Sequence, residues 1–152
     1  MSTPMSALLQ RVQADALAAR KTQDKLRSLV LGTLLAEVKN RELEGTRALT
    51  DDDVVEVVRK AVKKRKEAVD AFTKGGRDEL AAREAEEARL LEAYLPPAVD
   101  PEEIRQAVRA AIAAGATAIG PLMGRVAPQF KGRADGALVN AIAREELARA
   151  SG

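Results

Sequence analysis

Tyr94-Leu95-Pro96-Pro97-Ala98-Val99-Asp100-Pro101-Glu102-Glu103 is the stretch that decides the fold. Proline locks its own φ, lacks an N–H and disfavours helix at the residue before it, so Pro96-Pro97 stops any helix arriving from the N-terminal side. Asp100, Pro101 and Glu103 then stand in the order of an N-cap, an N1 proline and a capping-box acid, so a new helix starts at Asp100. Both flanks read as helix throughout. The expected fold is therefore all-α: an N-terminal helical bundle of about four helices over residues 1–96, then a small C-terminal three-helix domain over 97–152.

Before the prolines, a Glu- and Ala-rich helix runs from about Arg77 to Tyr94, preceded by a Gly75-Gly76 stop. The helix before that opens at Thr50, with Asp53 three residues on as a capping-box variant. Its seam is Val55, Val58, Val62, Arg65, Val69 and Phe72, a heptad-like pattern that Arg65 interrupts. A helix from about Thr22 to Leu43 carries Leu26, Leu29, Val30, Leu34 and Val38, and Gly45 follows as its stop. The first helix is expected to start at Thr3-Pro4 and to carry Met5, Leu8, Leu9, Val12, Ala16 and Ala19. After the prolines, Ile104, Val108 and Ile112 mark a helix that stops near Gly115. Ile119, Leu122, Met123 and Val126 mark a short helix expected to end before Pro128. Asp135 caps the last helix, with Leu138, Val139, Ile142 and Leu147.

Composition narrows the chemistry. The 152 residues include no His, no Cys and no Trp, with one Tyr and two Phe. That excludes a Cys nucleophile, a His general base, a Cys/His zinc site and a disulfide. No cofactor or metal is expected. Serines 2, 6 and 28 have no G-x-S-x-G context, so no catalytic set emerges. About one residue in five is Ala, which implies thin apolar seams and no large substrate cavity. No apolar run approaches the roughly 20 residues of a membrane span, and the Gln, Arg and Asp among the first twenty residues do not suit a signal peptide. A soluble cytoplasmic protein is the expectation.

Charge is more informative locally than in total. The chain holds 25 Lys+Arg against 23 Asp+Glu, with 18 basic against 17 acidic residues up to Pro96 and 7 against 6 after it. Arg59, Lys60, Lys63, Lys64, Arg65 and Lys66 put six cations in eight positions. The plain reading is a solvated face balanced by Glu84, Glu86, Glu87 and Glu92; a nucleic-acid or partner surface is the alternative. Arg65, on the apolar seam, needs a carboxylate or several carbonyls if buried; Glu37 is the expected partner, and snorkelling to solvent is the alternative.

Between Glu103 and Asp135 no acid occurs, whereas Arg105, Arg109, Arg125, Lys131 and Arg133 do. Lys131-Gly132-Arg133-Ala134-Asp135-Gly136 is a basic, glycine-flanked turn leading into a helix N-terminus. It suits phosphate contact by backbone and side chain, or it is an ordinary capped loop with Asp135 as N-cap. Phe72, Tyr94 and Phe130 are too dispersed to stack single-stranded bases, so any nucleic acid would be held through shape and phosphate.

Glu37-Val38-Lys39-Asn40, Lys63-Lys64-Arg65-Lys66-Glu67, Phe72, Gly76-Arg77-Asp78-Glu79-Leu80 and Tyr94-Leu95-Pro96 resemble the N-terminal region of the YqeY family. Met123-Gly124-Arg125-Val126, the Lys131–Gly136 run and Val139-Asn140 resemble the end of that family. They also resemble the tail domain of GatB, the subunit of the tRNA-dependent amidotransferase that handles mischarged tRNA. The resemblance covers nearly the whole chain in order, and it implies the same two-part helical fold.

It further implies tRNA as partner, with Arg125, Lys131, Gly132, Arg133 and Gly136 as the matching contact positions and Asp135 in a structural role. The family's link to glutamine-dependent carbon–nitrogen ligation transfers as context, since this chain has no counterpart of the kinase-type core or of the Ser-Ser-Lys amidase. Three hypotheses follow. They are a non-catalytic tRNA-binding accessory module, a helical adaptor docking on an amidotransferase, synthetase or ribosome, and an enzyme in its own right. The missing His and Cys argue against the last.

Overall fold

The computed structural model describes residues 6–152 and contains only helices and their connections among them. It divides into two compact units, Met1–Leu95 and Pro96–Gly152. The first holds α1 (Ala7–Lys21), α2 (Lys25–Glu44), α3 (Asp51–Lys74) and α4 (Asp78–Glu92). The second holds α5 (Pro101–Ala113), α6 (Ile119–Phe130) and α7 (Gly136–Ser151).

In the first unit, α3 packs against all three other helices, as α2 also does. That position explains why its buried face is wider than a heptad seam. Val54, Val57 and Ala61 are buried beside Val55, Val58 and Val62, whereas Val69 and Phe72 are only half-buried. The core adds Leu9 and Val12 from α1, Val30, Leu31, Leu34 and Val38 from α2, and Leu91 from α4. Each fully buried Leu or Val contributes about 1.5–3 kcal/mol relative to exposure. Leu29, read as part of α2's apolar side, is 53% exposed, because the core-facing row runs Val30, Leu34, Val38 at four-residue steps.

Caps set the ends. Thr50 Oγ1 accepts the Asp53 N–H (3.2 Å), and the Asp53 carboxylate accepts the Thr50 N–H (2.9 Å), completing the expected capping box. Arg47 closes over Asp53 at 2.8 Å, satisfying a carboxylate that α3 buries completely. The Thr3-Pro4 start and Met5 lie outside the described residues; α1 is capped by Ser6, whose hydroxyl accepts the Leu9 N–H at 3.2 Å and donates to Asp51.

Arg65 is buried, at 9% exposure, but Glu37 is not its partner. Its Nη1 donates to the Ala61 carbonyl one turn back (3.1 Å), and its Nε has no partner. Glu37 instead lines a groove between α2 and α3 with Lys60 and Lys64. The expected pairing fails because Arg65 is one residue beyond Lys64, about 100° further round the helix.

The first unit ends in a latch. Tyr94 is buried; its hydroxyl donates to Asp15 (2.5 Å), and Arg11 lies 4.6 Å from its ring centroid while donating to the Ala93 carbonyl. Burial and the Asp15 carboxylate both hold the phenol proton more tightly than usual.

The second unit is built around Ile104, Val108, Leu122, Val126, Phe130, Val139, Ile142 and Ala143. Contrary to expectation, α6 does not stop before Pro128 but continues to Phe130 with the proline inside. Leu122, Val126 and Phe130 recur every four residues and are all buried, so core packing carries the helix past a missing backbone bond. Leu138, read as core, is 39% exposed.

Candidate nucleic-acid interface

The turn between α6 and α7 is fixed by its glycine and its aspartate. Gly132 sits at φ +76°, the left-handed region that glycine enters without strain. The reversal lets the N–H groups of Arg133 and Ala134 both return to the Phe130 carbonyl, at 2.8 and 3.0 Å. Asp135 then caps α7: its carboxylate accepts the Ala137 N–H at 3.0 Å, and its carbonyl takes the Leu138 and Val139 N–H groups. The backbone donors of α7 are therefore partly occupied from within the chain. What the turn offers an anion is its side chains and the open surface at Gly136, where an added Cβ would meet nothing within 4 Å.

The structure gathers Lys131, Gly132, Arg133, Asp135 and Gly136 on this turn, with Arg125 upstream on α6. Arg125 and Lys131 are exposed, and the Arg125 side chain has no partner among the described residues. Arg133 is half-exposed; its Nη2 donates to Glu103 at 2.8 Å, and its guanidinium lies over the Phe130 ring, 5.5 Å from the centroid. Phe130 thus props the guanidinium plane at the surface while Glu103 competes for it.

The acid-free stretch is less basic in space than along the chain. Arg109 makes a two-point contact with Glu146, at 3.0 and 3.2 Å. Arg105 and Arg149 approach the same carboxylate at 3.7 Å, and Arg105 also meets Glu145. Glu146 is buried, and the Arg109 hydrogen bond holds its carboxyl below the usual carboxylate range. Arg105 and Arg109 therefore converge on Glu146 at the α5–α7 face, whereas Arg125, Lys131 and Arg133 are exposed on and beside the α6–α7 turn. Sequence reasoning missed the Glu146 cluster. Its one trace is Arg105 and Arg109 at i, i+4, which share a helix face without revealing what that face meets.

Among the described residues there is no group of His, Cys, Asp or Glu that could hold a metal ion, and no helix long and apolar enough to cross a membrane. A family-wide sequence profile described as Yqey-like protein matches residues 9–147. Over 138 residues the chain is 28% identical to "Altered inheritance of mitochondria protein 41, mitochondrial" of Pyrenophora tritici-repentis, covering 88% of this chain and 76% of that protein. The protein of the same name from Eremothecium gossypii is 30% identical over 99 residues, 63% of this chain and 54% of that protein. The one from Clavispora lusitaniae is 28% identical over 102 residues, 66% of this chain and 59% of that protein. The chain thus spans little more than half of the latter two.

Proposed function

The chain belongs to the YqeY-like protein family, and from that premise we propose that it is a tRNA-binding accessory module without catalysis of its own. The observation that carries the reading is the outward trio Arg125, Lys131 and Arg133 around the Gly132 turn. Lysine supplies a mobile point charge, and arginine a planar fork that matches two phosphate oxygens. Both contact the backbone and read no base, which suits a module that recognises the shape of a tRNA rather than its sequence. The resemblance to the GatB tail supports tRNA as the partner and makes glutamine-dependent carbon–nitrogen ligation the associated chemistry, carried out by other chains. The expected compartment is the cytoplasm; the relatives named mitochondrial make an organelle with its own tRNA the alternative.

Filter binding of the full chain to tRNA at low and moderate salt tests this. Affinity should fall with salt, and Lys131→Ala with Arg133→Ala should weaken binding uniformly across tRNA species while lowering the log–log salt slope by about 2. No affinity for any tRNA at low salt would refute it.

An adaptor role is the second reading, supported by the exposed Leu17, Leu29 and Leu43 of the first unit, at 46, 53 and 71%. A stoichiometric protein partner recovered after nuclease treatment would favour it.

A further inference from the structure

Residues 57–66 of α3 hold six cations and no acid. A balance by the glutamates of α4 is the plain sequence reading, and the helix register limits it. α3 and α4 form an antiparallel hairpin through Gly75-Gly76, and Lys66–Glu92 at 2.9 Å sets their alignment. At a rise of 1.5 Å per residue, Lys60 lies about 9 Å beyond that pair, away from the hairpin. Glu87 lies about 7.5 Å from it in the opposite direction, and Glu84 and Glu86 further still. The axial gap from Lys60 to Glu87, about 16 Å, is twice the Debye length of about 8 Å at physiological salt. α4 ends at Glu92, so it sets no acid beside the first half of α3.

On the other side, Arg41–Glu56 at 3.4 Å aligns α2 with α3 and uses up one acid. Between the two helices runs a groove of about 240 Å³ lined by Glu37, Asn40, Arg41, Lys60 and Lys64, with Glu44 and Glu56 at its end. Lys60, Lys63 and Lys64 are exposed and have no ion-pair partner among the described residues; Glu37 is half-buried and not in ion-pair reach of them. Val57 and Ala61 also line the groove but are only 8% and 2% exposed, and Val58 and Val62 are buried as well, so this surface shows little apolar side chain. A protein partner needs an apolar centre and avoids lysine, whereas a phosphate backbone needs neither apolar contact nor a fixed fork.

We infer that Lys60, Lys63 and Lys64, with Asn40 on the facing rim, form a second RNA phosphate-contact surface, in the N-terminal unit and separate from the Lys131–Gly136 turn. The inference shares its class of partner with the reading above but none of its residues. Lys60 and Lys64 stand one helical turn apart, about 6 Å along the axis, so they reach different phosphates of one strand.

The test is filter binding of the full chain to tRNA between 50 and 200 mM salt, with Lys60→Ala, Lys63→Ala and Lys64→Ala combined. Alanine preserves helix, and circular dichroism checks the fold. With three phosphate contacts at about 0.9 slope units each, wild type should lose about forty-fold more affinity over that salt range than the triple variant. The corresponding triple arginine variant should bind like wild type. Unchanged affinity and slope in the alanine variant, with loss in the Lys131/Arg133 pair, would overturn this surface and leave the turn standing. Loss in the alanine triple alone would support this surface and reject the turn. A triple variant that keeps RNA but loses a protein partner would overturn the inference in favour of a protein-binding face. No RNA binding by wild type would reject both.

Discussion

Replacing Arg65 with methionine removes a guanidinium that α3 buries to nine-tenths with its Nε unpartnered. Two terms oppose each other. An unsatisfied buried donor destabilises by about 1–3 kcal/mol, while the single charged bond to the Ala61 carbonyl stabilises by about 1.5–3 kcal/mol in favourable cases. That carbonyl already accepts an intrahelical N–H, so losing the guanidinium orphans nothing. Methionine keeps the unbranched stem in place and sheds the desolvated charge, a change that is neutral or stabilising by about 1–4 kcal/mol where buried ions have been replaced by apolar residues. The expected result is a gain of about 1 kcal/mol, or a rise of about 4–8 °C in Tm for a unit of this size. Urea and thermal unfolding of the full chain, followed by circular dichroism, measure it. Arg65→Ala is the contrasting variant: it also removes the buried stem and should fall below the methionine variant by about 2 kcal/mol. A methionine variant destabilised by 1 kcal/mol or more would refute the reasoning, because only a partner lost with the charge could cause it.

Tyr94→Phe keeps the buried ring but leaves Asp15 without its donor, and the urea midpoint should report a loss of about 1–2 kcal/mol. Glu146 has a folded pKa below its unfolded value, so its stabilisation is present above the unfolded carboxylate range, about 4.3, and is lost as pH falls through the folded value. Asp51, held low by the Ser6 hydroxyl, acts in the same direction in the first unit. Melting from pH 7 down to pH 2 should show a flatter acid limb for Glu146→Gln than for wild type, and superimposable limbs would count against the assignment. Glu103→Gln frees Arg133 from a surface ion pair of about 0.2–1 kcal/mol, so tRNA affinity should rise about 1.5- to 5-fold at low salt, and a decrease would argue that Arg133 does not touch RNA.

Helix ends were the most legible feature of the sequence. The Thr50–Asp53 box, the Asp100 N-cap with Pro101 at N1 and the Asp135 cap all form as read, because a cap acts within four residues of itself; Glu103, expected to close a capping box on Asp100, turns to Arg133 instead. Pro128 does not end its helix for the converse reason: its local preference yields to Phe130, whose burial is a property of the packed unit. The Lys131–Gly136 turn is visible in the sequence as a turn, and its glycine and its cap both appear, but its ion pairing is not visible there. Glu103 reaches Arg133 across 30 residues, and Glu146 reaches Arg109 across 37.

The sequence by itself determined an all-helical chain, the positions of most caps and stops, and the absence of His and Cys chemistry. Those properties depend on local φ, short hydrogen bonds and residue inventory. Only the tertiary structure decided which cations remain outward. It sent Arg65 to a carbonyl instead of Glu37, committed Arg105 and Arg109 to Glu146, and left Lys60, Lys63 and Lys64 without an ion-pair partner among the described residues, with Glu92 taken by Lys66. The reason is that helical periodicity assigns each side chain a face, whereas ion pairing depends on which helix lies opposite that face and at what axial register.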